Sequence, residues 1–285
     1  MFNNININIE EAKPLIKMAL EEDLREGDIT TDAIVTENIK ATMTILLKED
    51  GVIAGLPLLN LVTDCLNAKV EIVCFVKEGQ FLIGGTVVAK ITGPVSILLK
   101  VERTILNLIQ RISGIATKTN KYASILKPYS TKILDTRKTA PGHRLLDKYA
   151  VRMGGGCNHR FGLYDMVMIK DNHIKAAGSI TNAVKKVKDK YNSSFKIEVE
   201  ASSLAEVKEA LDSKADIIML DNMTIEDMKK AVEIINKKTI TEASGNITEE
   251  KLIEIGKIGI DYISVGALTH TVKALDISGK INLEN

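Results

Sequence analysis

Six short apolar runs between residues 132 and 268 each stop at a residue type suited to holding an anion or a sugar. The runs are KILDTRK, MVMIKD, KIEVEA, IIMLDN, TITEASGN and YISVGA, and they end at Arg137 and Lys138, Lys170, Glu200, Asp221, Ser244-Gly245-Asn246, and Gly266. Their order is cationic, then acidic, then small. Arginine grips carboxylate or phosphate with a two-pronged fork, and lysine acts as a mobile point charge. Two carboxylates at neighbouring ends suit a cis-diol, or Mg²⁺ riding on a phosphate ester. Ser244, Gly245 and Asn246, and likewise Val265, Gly266 and Ala267, offer backbone N–H groups ahead of helices, a common way to cradle phosphate. Together these ends point to an anionic substrate used with a polyhydroxylated or metal-bearing one.

Blander readings compete at several positions. A basic run is usually a solvated face, and that reading stands for Arg144 and Arg152, on the helix after KILDTRK. It weakens for Arg137 and Lys138, which directly follow a strand, and for Lys170, which ends MVMIK. Lys170 also has a rival role as a Schiff-base nucleophile, which position alone leaves open. Glu200 and Asp221 could instead form structural ion pairs with Lys138 or Lys170, since a carboxylate ending an apolar strand needs a cation, a metal or hydroxyl donors. His143, His159, His173 and His270 show no metal-ligand spacing; a satisfied structural role is favoured for each except His159, which neighbours Arg160. Cys65, Cys74 and Cys157 are odd in number and far from any CxxC spacing, so they read as small buried thiols in a reducing cytoplasm.

Amphipathic helical patterns fill four of the five gaps between the runs, so residues 113–270 read as a β/α repeat whose strand ends converge on one face, as in an α/β barrel. Ser203 with Glu206, Thr224 with Asp227, and Thr248 are its expected helix caps. Residues 1–112 read as a separate unit. A helical stripe over 9–24 precedes strands at ATMTILLKED and GVIAG, a helix at PLLNLVTDCLNA, and further strands at VEIVCFV, KEGQFLIGG, TVVAKITGP and VSILL. The helical pattern resumes in VERTILNLIQRISGIATKTNKYASIL. The tail, residues 271–285, is expected to return to the first unit.

The chain has 285 residues, 45% hydrophobic, with 38 basic against 37 acidic side chains. That is enough for a well-buried core, and the near-neutral balance gives no global field for nucleic acid. Aromatic residues make up only 4% with no Trp, which argues against base-stacking platforms. No stretch approaches the roughly 20 apolar residues of a membrane span.

The segments EDLREGDITT, ERTILNLIQRISGIAT, DTRKTAPGHRLLDKYAVRMGGGCNHRFGLYDMVMIKDNHI, EVEA, IMLDN, EASGNI and DYISVGALTH closely resemble the quinolinate phosphoribosyltransferase family, over nearly the whole chain. Arg25 stands where that family often has Gly. The resemblance implies an N-terminal open-faced α/β sandwich, an unusual, incomplete α/β barrel, and a homodimer with shared active sites. It implies that Arg103 reaches into the partner's quinolinate pocket. Arg137, His159, Arg160 and Lys170 would grip the two carboxylates, with Thr136 and Lys138 beside them. Glu200 and Asp221 would hold the ribose hydroxyls and Mg²⁺ of phosphoribosyl pyrophosphate, and 244–246 and 265–267 would cradle its 5′-phosphate. Lys138, Glu200 and Asp221 are the expected catalytic residues.

Overall fold

The computed structural model describes Phe2, residues 8–35 and residues 39–284. A 3-10 turn at Ile9–Ala12 leads into α1 (Lys13–Leu24), α2 (Ile29–Ile34), β1 (Lys40–Leu47), β2 (Gly51–Val52), α3 (Leu56–Cys65), β3 (Glu71–Cys74), β4 (Phe81–Leu82), β5 (Val87–Pro94) and α4 (Val95–Leu126). The chain continues through β6 (Lys132–Leu134), α5 (Arg144–Met153), β7 (Val167–Ile169), α6 (Asp171–Ala177), α7 (Ile180–Tyr191), β8 (Ile197–Ala201) and α8 (Leu204–Asp212). It closes with β9 (Ile217–Asp221), α9 (Ile225–Ile235), β10 (Ile240–Ser244), α10 (Glu249–Ile258), β11 (Tyr262–Ser264), α11 (Ala267–His270) and β12 (Ile277–Leu283).

Two compact units emerge. One joins Lys121–Lys138 and Gly156–Gly266 with Phe2; the other joins the described residues between 8 and 120 with Thr139–Gly155 and residues 267–284. In the first unit the six runs are the six strands of one parallel sheet, ordered β6-β11-β10-β9-β8-β7. Among the described residues β6 and β7 end that order unpaired with each other, and the returning segment contributes a parallel bridge, Leu134 to Cys157. The barrel is therefore incomplete at this seam. The expected caps form: Ser203 Oγ accepts the Glu206 N–H, Thr224 Oγ1 that of Asp227 and Thr248 Oγ1 that of Lys251, each satisfying a donor that the first helical turn leaves unpaired.

The other unit holds an antiparallel sheet ordered β12-β1-β5-β3. Ala41, Met43, Ile45 and Leu47 of β1 are fully buried while the residues between them are partly exposed, the alternation of a sheet covered on one face. The tail supplies β12, which pairs antiparallel with β1 from Ala41↔Leu283 to Leu47↔Ile277.

Two sequence expectations change. VSILL is the first turn and a half of α4 rather than a strand; Val95, Leu98 and Val101 are buried at three-residue steps, and a short apolar run does not separate strand from helix by itself. That same helix runs without a break through residue 112. Cys157 is buried, but Cys65 is only half-buried and Cys74 exposed, since β3 shows most of its length to solvent. Arg25, at the end of α1, sits at φ +42, a backbone conformation that glycine adopts without the side-chain clash others incur.

Candidate active site

The cationic strand ends come together on a polar scaffold. Asp135, which directly follows β6, is fully buried. Its carboxylate accepts the His159 backbone N–H at 2.9 Å and the Asn158 side-chain amide at 2.5 Å, so the end of β6 fixes the segment that carries Arg160. The Arg160 guanidinium is largely buried and donates to the Met166 carbonyl at 3.0 Å. Burial, and then the nearby positive charge of Arg137, make it less basic than usual. Two guanidiniums that oppose each other in a partly desolvated place are relieved by an anion between them. Thr136 and Arg137 are half-buried; Lys138 is exposed, its N–H received by Thr136 Oγ1 at 3.1 Å.

Lys170 caps α6 at the end of β7, and its ammonium forms an ion pair with Glu200 at the end of β8. The lysine is 43% exposed and the glutamate 17%. That pair matches the structural ion pairing weighed for Glu200. It also disfavours the Schiff-base role, because the amine is engaged by a carboxylate rather than presented to a carbonyl. Asp221 ends β9 and accepts the Asn222 amide at 3.0 Å. Asn222 and Asn246 both sit at positive φ, and Gly245 between Ser244 and Asn246 lies at φ +102. A Cβ on Gly245 would stand 2.1 Å from Asn222 Oδ1. The turns after β9 and β10 are thus packed against each other closely enough to require glycine. Val265 is buried, and Gly266 and Ala267 are half-buried after β11.

Arg103 is exposed on α4, in the other compact unit, which also holds the α5 residues Arg144, half-buried, and Arg152, exposed. The side chain of His173 receives the Lys170 N–H at 3.0 Å and caps α6.

A second polar layer lies beneath the strand ends, and the sequence reading missed it. Glu198 precedes Glu200 by two positions on β8, and Glu242 precedes Ser244 by two on β10; the two-residue period of a strand puts each pair on one face. Both deeper glutamates are fully buried. His159 Nε2 lies 2.9 Å from Glu198 Oε2 and 3.5 Å from Glu242 Oε2. Burial drives both carboxyls far up from the usual carboxylate range, with the charge of Glu198 adding to the effect on Glu242. The Phe2 ring closes the cluster from below, 5.1 Å from the His159 ring and 4.8 Å from that of Tyr262. The alternation I-E-V-E in KIEVEA was the available signal.

Known proteins match nearly the whole chain in sequence and fold. The family model for the N-terminal domain of quinolinate phosphoribosyl transferase matches residues 28–113, and that for the C-terminal domain matches residues 115–280. The chain belongs to the quinolinate phosphoribosyltransferase family. Within that family it is 45% identical to the chloroplastic carboxylating nicotinate-nucleotide pyrophosphorylase of Arabidopsis thaliana, covering 96% of this chain and 84% of that one. It is 43% identical to the probable carboxylating nicotinate-nucleotide pyrophosphorylase of Bacillus subtilis, covering 98% and 96%. The crystal structure of NadC from Streptococcus pyogenes superposes with a TM-score of 0.94 at 39% identity, over 99% of this chain and all of that one. The nicotinate-nucleotide pyrophosphorylase of Francisella tularensis gives 0.90 at 41% identity, over 99% of both. As a quinolinate phosphoribosyltransferase family member, the chain carries every polar strand end that the sequence singled out, on one parallel sheet.

Proposed function

We propose that this protein transfers the 5-phosphoribosyl group of phosphoribosyl pyrophosphate to quinolinate, giving nicotinate mononucleotide, CO₂ and pyrophosphate, a step of NAD biosynthesis. The observation that carries the reading is the paired basic ends at Arg137 and Arg160, followed around the sheet by the Lys170–Glu200 pair and Asp221. Quinolinate is a dianion with adjacent carboxylates. Arg137, Arg160 and Lys170 supply the cations it needs, with Thr136 and Lys138 at the rim. Glu200 and Asp221 hold the ribose hydroxyls, and Lys170 is released from Glu200 towards the incoming carboxylate. Residues 244–246 and 265–267 take the 5′-phosphate. Mg²⁺ arrives as part of the pyrophosphate substrate and neutralises the leaving group; two strand-end carboxylates are a fitting hard-oxygen donor set for it.

The chemistry follows from this placement. The pyridine nitrogen forms a bond to C1′ as the bond from C1′ to pyrophosphate breaks. The developing positive charge on the ribose is stabilised by the nearby Glu200 and Asp221 carboxylates. The product pyridinium draws the electron pair of the adjacent C–COO⁻ bond into the ring, CO₂ leaves, and a proton replaces it at carbon. Lys138 is the exposed cation closest in sequence to the pocket and acts on the charges that shift in these steps.

A homodimer with shared sites is part of the proposal, Arg103 of each subunit completing its partner's pocket. Exposure of Arg103 on α4 supports that role. A cytoplasmic location, expected from the sequence, belongs to the same proposal. Mixing Arg103→Ala chains with Glu200→Ala chains, each inactive alone, should restore activity as heterodimers form with one intact site. No recovery after verified subunit exchange would refute the shared site, while chromatography of quinolinate consumed against nicotinate mononucleotide formed tests the reaction itself.

A further inference from the structure

Phe2 is remote in sequence from the polar strand ends, yet its ring lies inside the unit that carries them. The side chain is 5% exposed and packs in one apolar cluster with Leu134, Cys157, Met166 and Ile217. Leu134 ends β6 and Met166 immediately precedes β7. The ring therefore packs with residues on both lips of the seam where those two strands are not paired. A barrel left open there would have a gap at its base, and the walls of a gap lose the contacts that close packing supplies. Phe2 fills that place.

Filling space is ordinary core work; what Phe2 touches is not. Its ring centroid is 5.1 Å from that of His159, with the planes tilted by 36°, and 4.8 Å from that of Tyr262, edge to face at 81°. Both separations lie in the range of favourable aromatic pairs. Cys157, His159 and Met166 belong to the segment that carries Arg160, so Phe2 braces that segment at three points. Two of the three bond Arg160 directly. The Met166 carbonyl accepts its guanidinium at 3.0 Å, and His159 Nδ1 accepts its backbone N–H at 2.7 Å. The terminal torsion of a histidine is broad and soft, so packing rather than intrinsic preference fixes the plane of the ring. At His159 the Arg160 N–H holds one edge and Phe2 packs against the ring.

We propose that Phe2 is a positioning residue for the quinolinate pocket: its ring braces His159 and Met166 from beneath and so sets where His159 and Arg160 present themselves to the substrate. Asp135 holds the same segment from the strand side, through the His159 N–H. Glu200, Asp221 and residues 244–246, the groups proposed for ribose and phosphate, lie outside the Phe2 cluster. Loss of the ring should therefore fall on quinolinate and spare phosphoribosyl pyrophosphate.

This inference rests on the reading of His159 and Arg160 as quinolinate ligands, and the experiment separates the two. Quinolinate dissociation constants are measured by calorimetry on the full chain, alongside KM for phosphoribosyl pyrophosphate and thermal melting, for Arg160→Ala, Phe2→Ala, Phe2→Leu and Leu252→Ala. Leu252 is fully buried on α10 and outside the Phe2 cluster, so its truncation removes a comparable piece of core away from the pocket. Phe2→Ala should bind quinolinate about tenfold more weakly, the scale of one misaligned charged hydrogen bond, with the other substrate's KM unmoved. Leu252→Ala should melt lower and leave both constants alone. Benzene enters apolar cavities left by truncated side chains; it should return most of the lost affinity to Phe2→Ala and change nothing in the parent. Quinolinate affinity in Phe2→Ala within about twofold of the parent, with Arg160→Ala weakened, overturns the bracing role alone. Unchanged affinity in Arg160→Ala overturns the pocket reading beneath it. Equal losses for both substrates, or a quinolinate loss in Leu252→Ala that matches that of Phe2→Ala, make Phe2 ordinary core and overturn the proposal. Should Phe2→Ala fail to fold, Phe2→Leu carries the test: a lowered melting temperature with parent-like quinolinate affinity refutes the brace, and a loss confined to quinolinate supports it.

Discussion

Replacing Lys170 with Ala removes one cation from the pocket and frees one anion. The lysine is 43% exposed, so its loss opens no buried cavity, and its ion pair with Glu200 lies where water screens it. Stability should therefore change by less than about 1 kcal/mol. Binding is different. A charged hydrogen bond to a quinolinate carboxylate contributes about 1.5–3 kcal/mol, which corresponds to roughly tenfold to a hundredfold in affinity. Glu200, only 17% exposed, also loses its counter-charge and then faces the incoming dianion, which pushes the effect toward the upper end. Calorimetric titration of quinolinate into Lys170→Ala, with circular dichroism to verify the fold, reads this directly. Lys170→Arg should restore part of the loss, since charge returns but the geometry does not. A change below about twofold in quinolinate affinity would refute the placement of Lys170 as a carboxylate ligand.

Three further outcomes follow from particular contacts. Gly245→Ala puts a Cβ 2.1 Å from Asn222 Oδ1 at φ +102, so the KM for phosphoribosyl pyrophosphate should rise several-fold while quinolinate affinity holds; an unchanged KM would remove the 244–246 turn from the phosphate site. Gly114→Ala drives a Cβ to 2.0 Å from the Lys273 carbonyl, backbone that cannot swing aside, and should cost more than about 2 kcal/mol in denaturant unfolding; a loss below about 0.5 kcal/mol would mean that α4 shifts freely. Glu198 and Glu242 both have folded-state pKa values raised by burial, so the folded chain keeps protons that the unfolded chain sheds above the ordinary carboxylate range. Stability from this pair is then highest at mildly acid pH and falls as pH rises through the neutral range, by about 1.4 kcal/mol per pH unit for each proton retained. Replacing both Glu198 and Glu242 with Leu should flatten that slope, as urea titrations at a series of pH values would reveal, and an equal slope in both proteins would show that the carboxyls are ionised when folded.

The barrel was legible because each strand ended in a change of residue class, and parallel strands buried on both faces read as continuous apolar runs. Helix starts were legible through their caps, as at Ser203 and Thr224. What the sequence hid is instructive in physical terms. VSILL carries equal strand and helix signals, and only packing along α4 decides between them. The seam between β6 and β7 depends on a bridge at Cys157 that no local pattern announces. The exchange of residues 139–155 and 267–285 into the other unit is a long-range fact of packing. Within the site, strand-end groups stood out while the layer beneath them did not. Glu198 and Glu242 look like solvent-facing positions until the strands are known to be covered on both sides. His159 was noticed for its neighbour Arg160, but its ring faces inward to the glutamates.

The most direct measurement is release of labelled CO₂ from quinolinate carboxyl-labelled at the position lost, with the purified protein, with and without phosphoribosyl pyrophosphate and Mg²⁺. The account predicts release that depends on both and matches nicotinate mononucleotide mole for mole, because only the pyridinium formed by phosphoribosyl transfer accepts the electron pair left by the carboxylate. Release without phosphoribosyl pyrophosphate, or none from folded protein with both present, would contradict it.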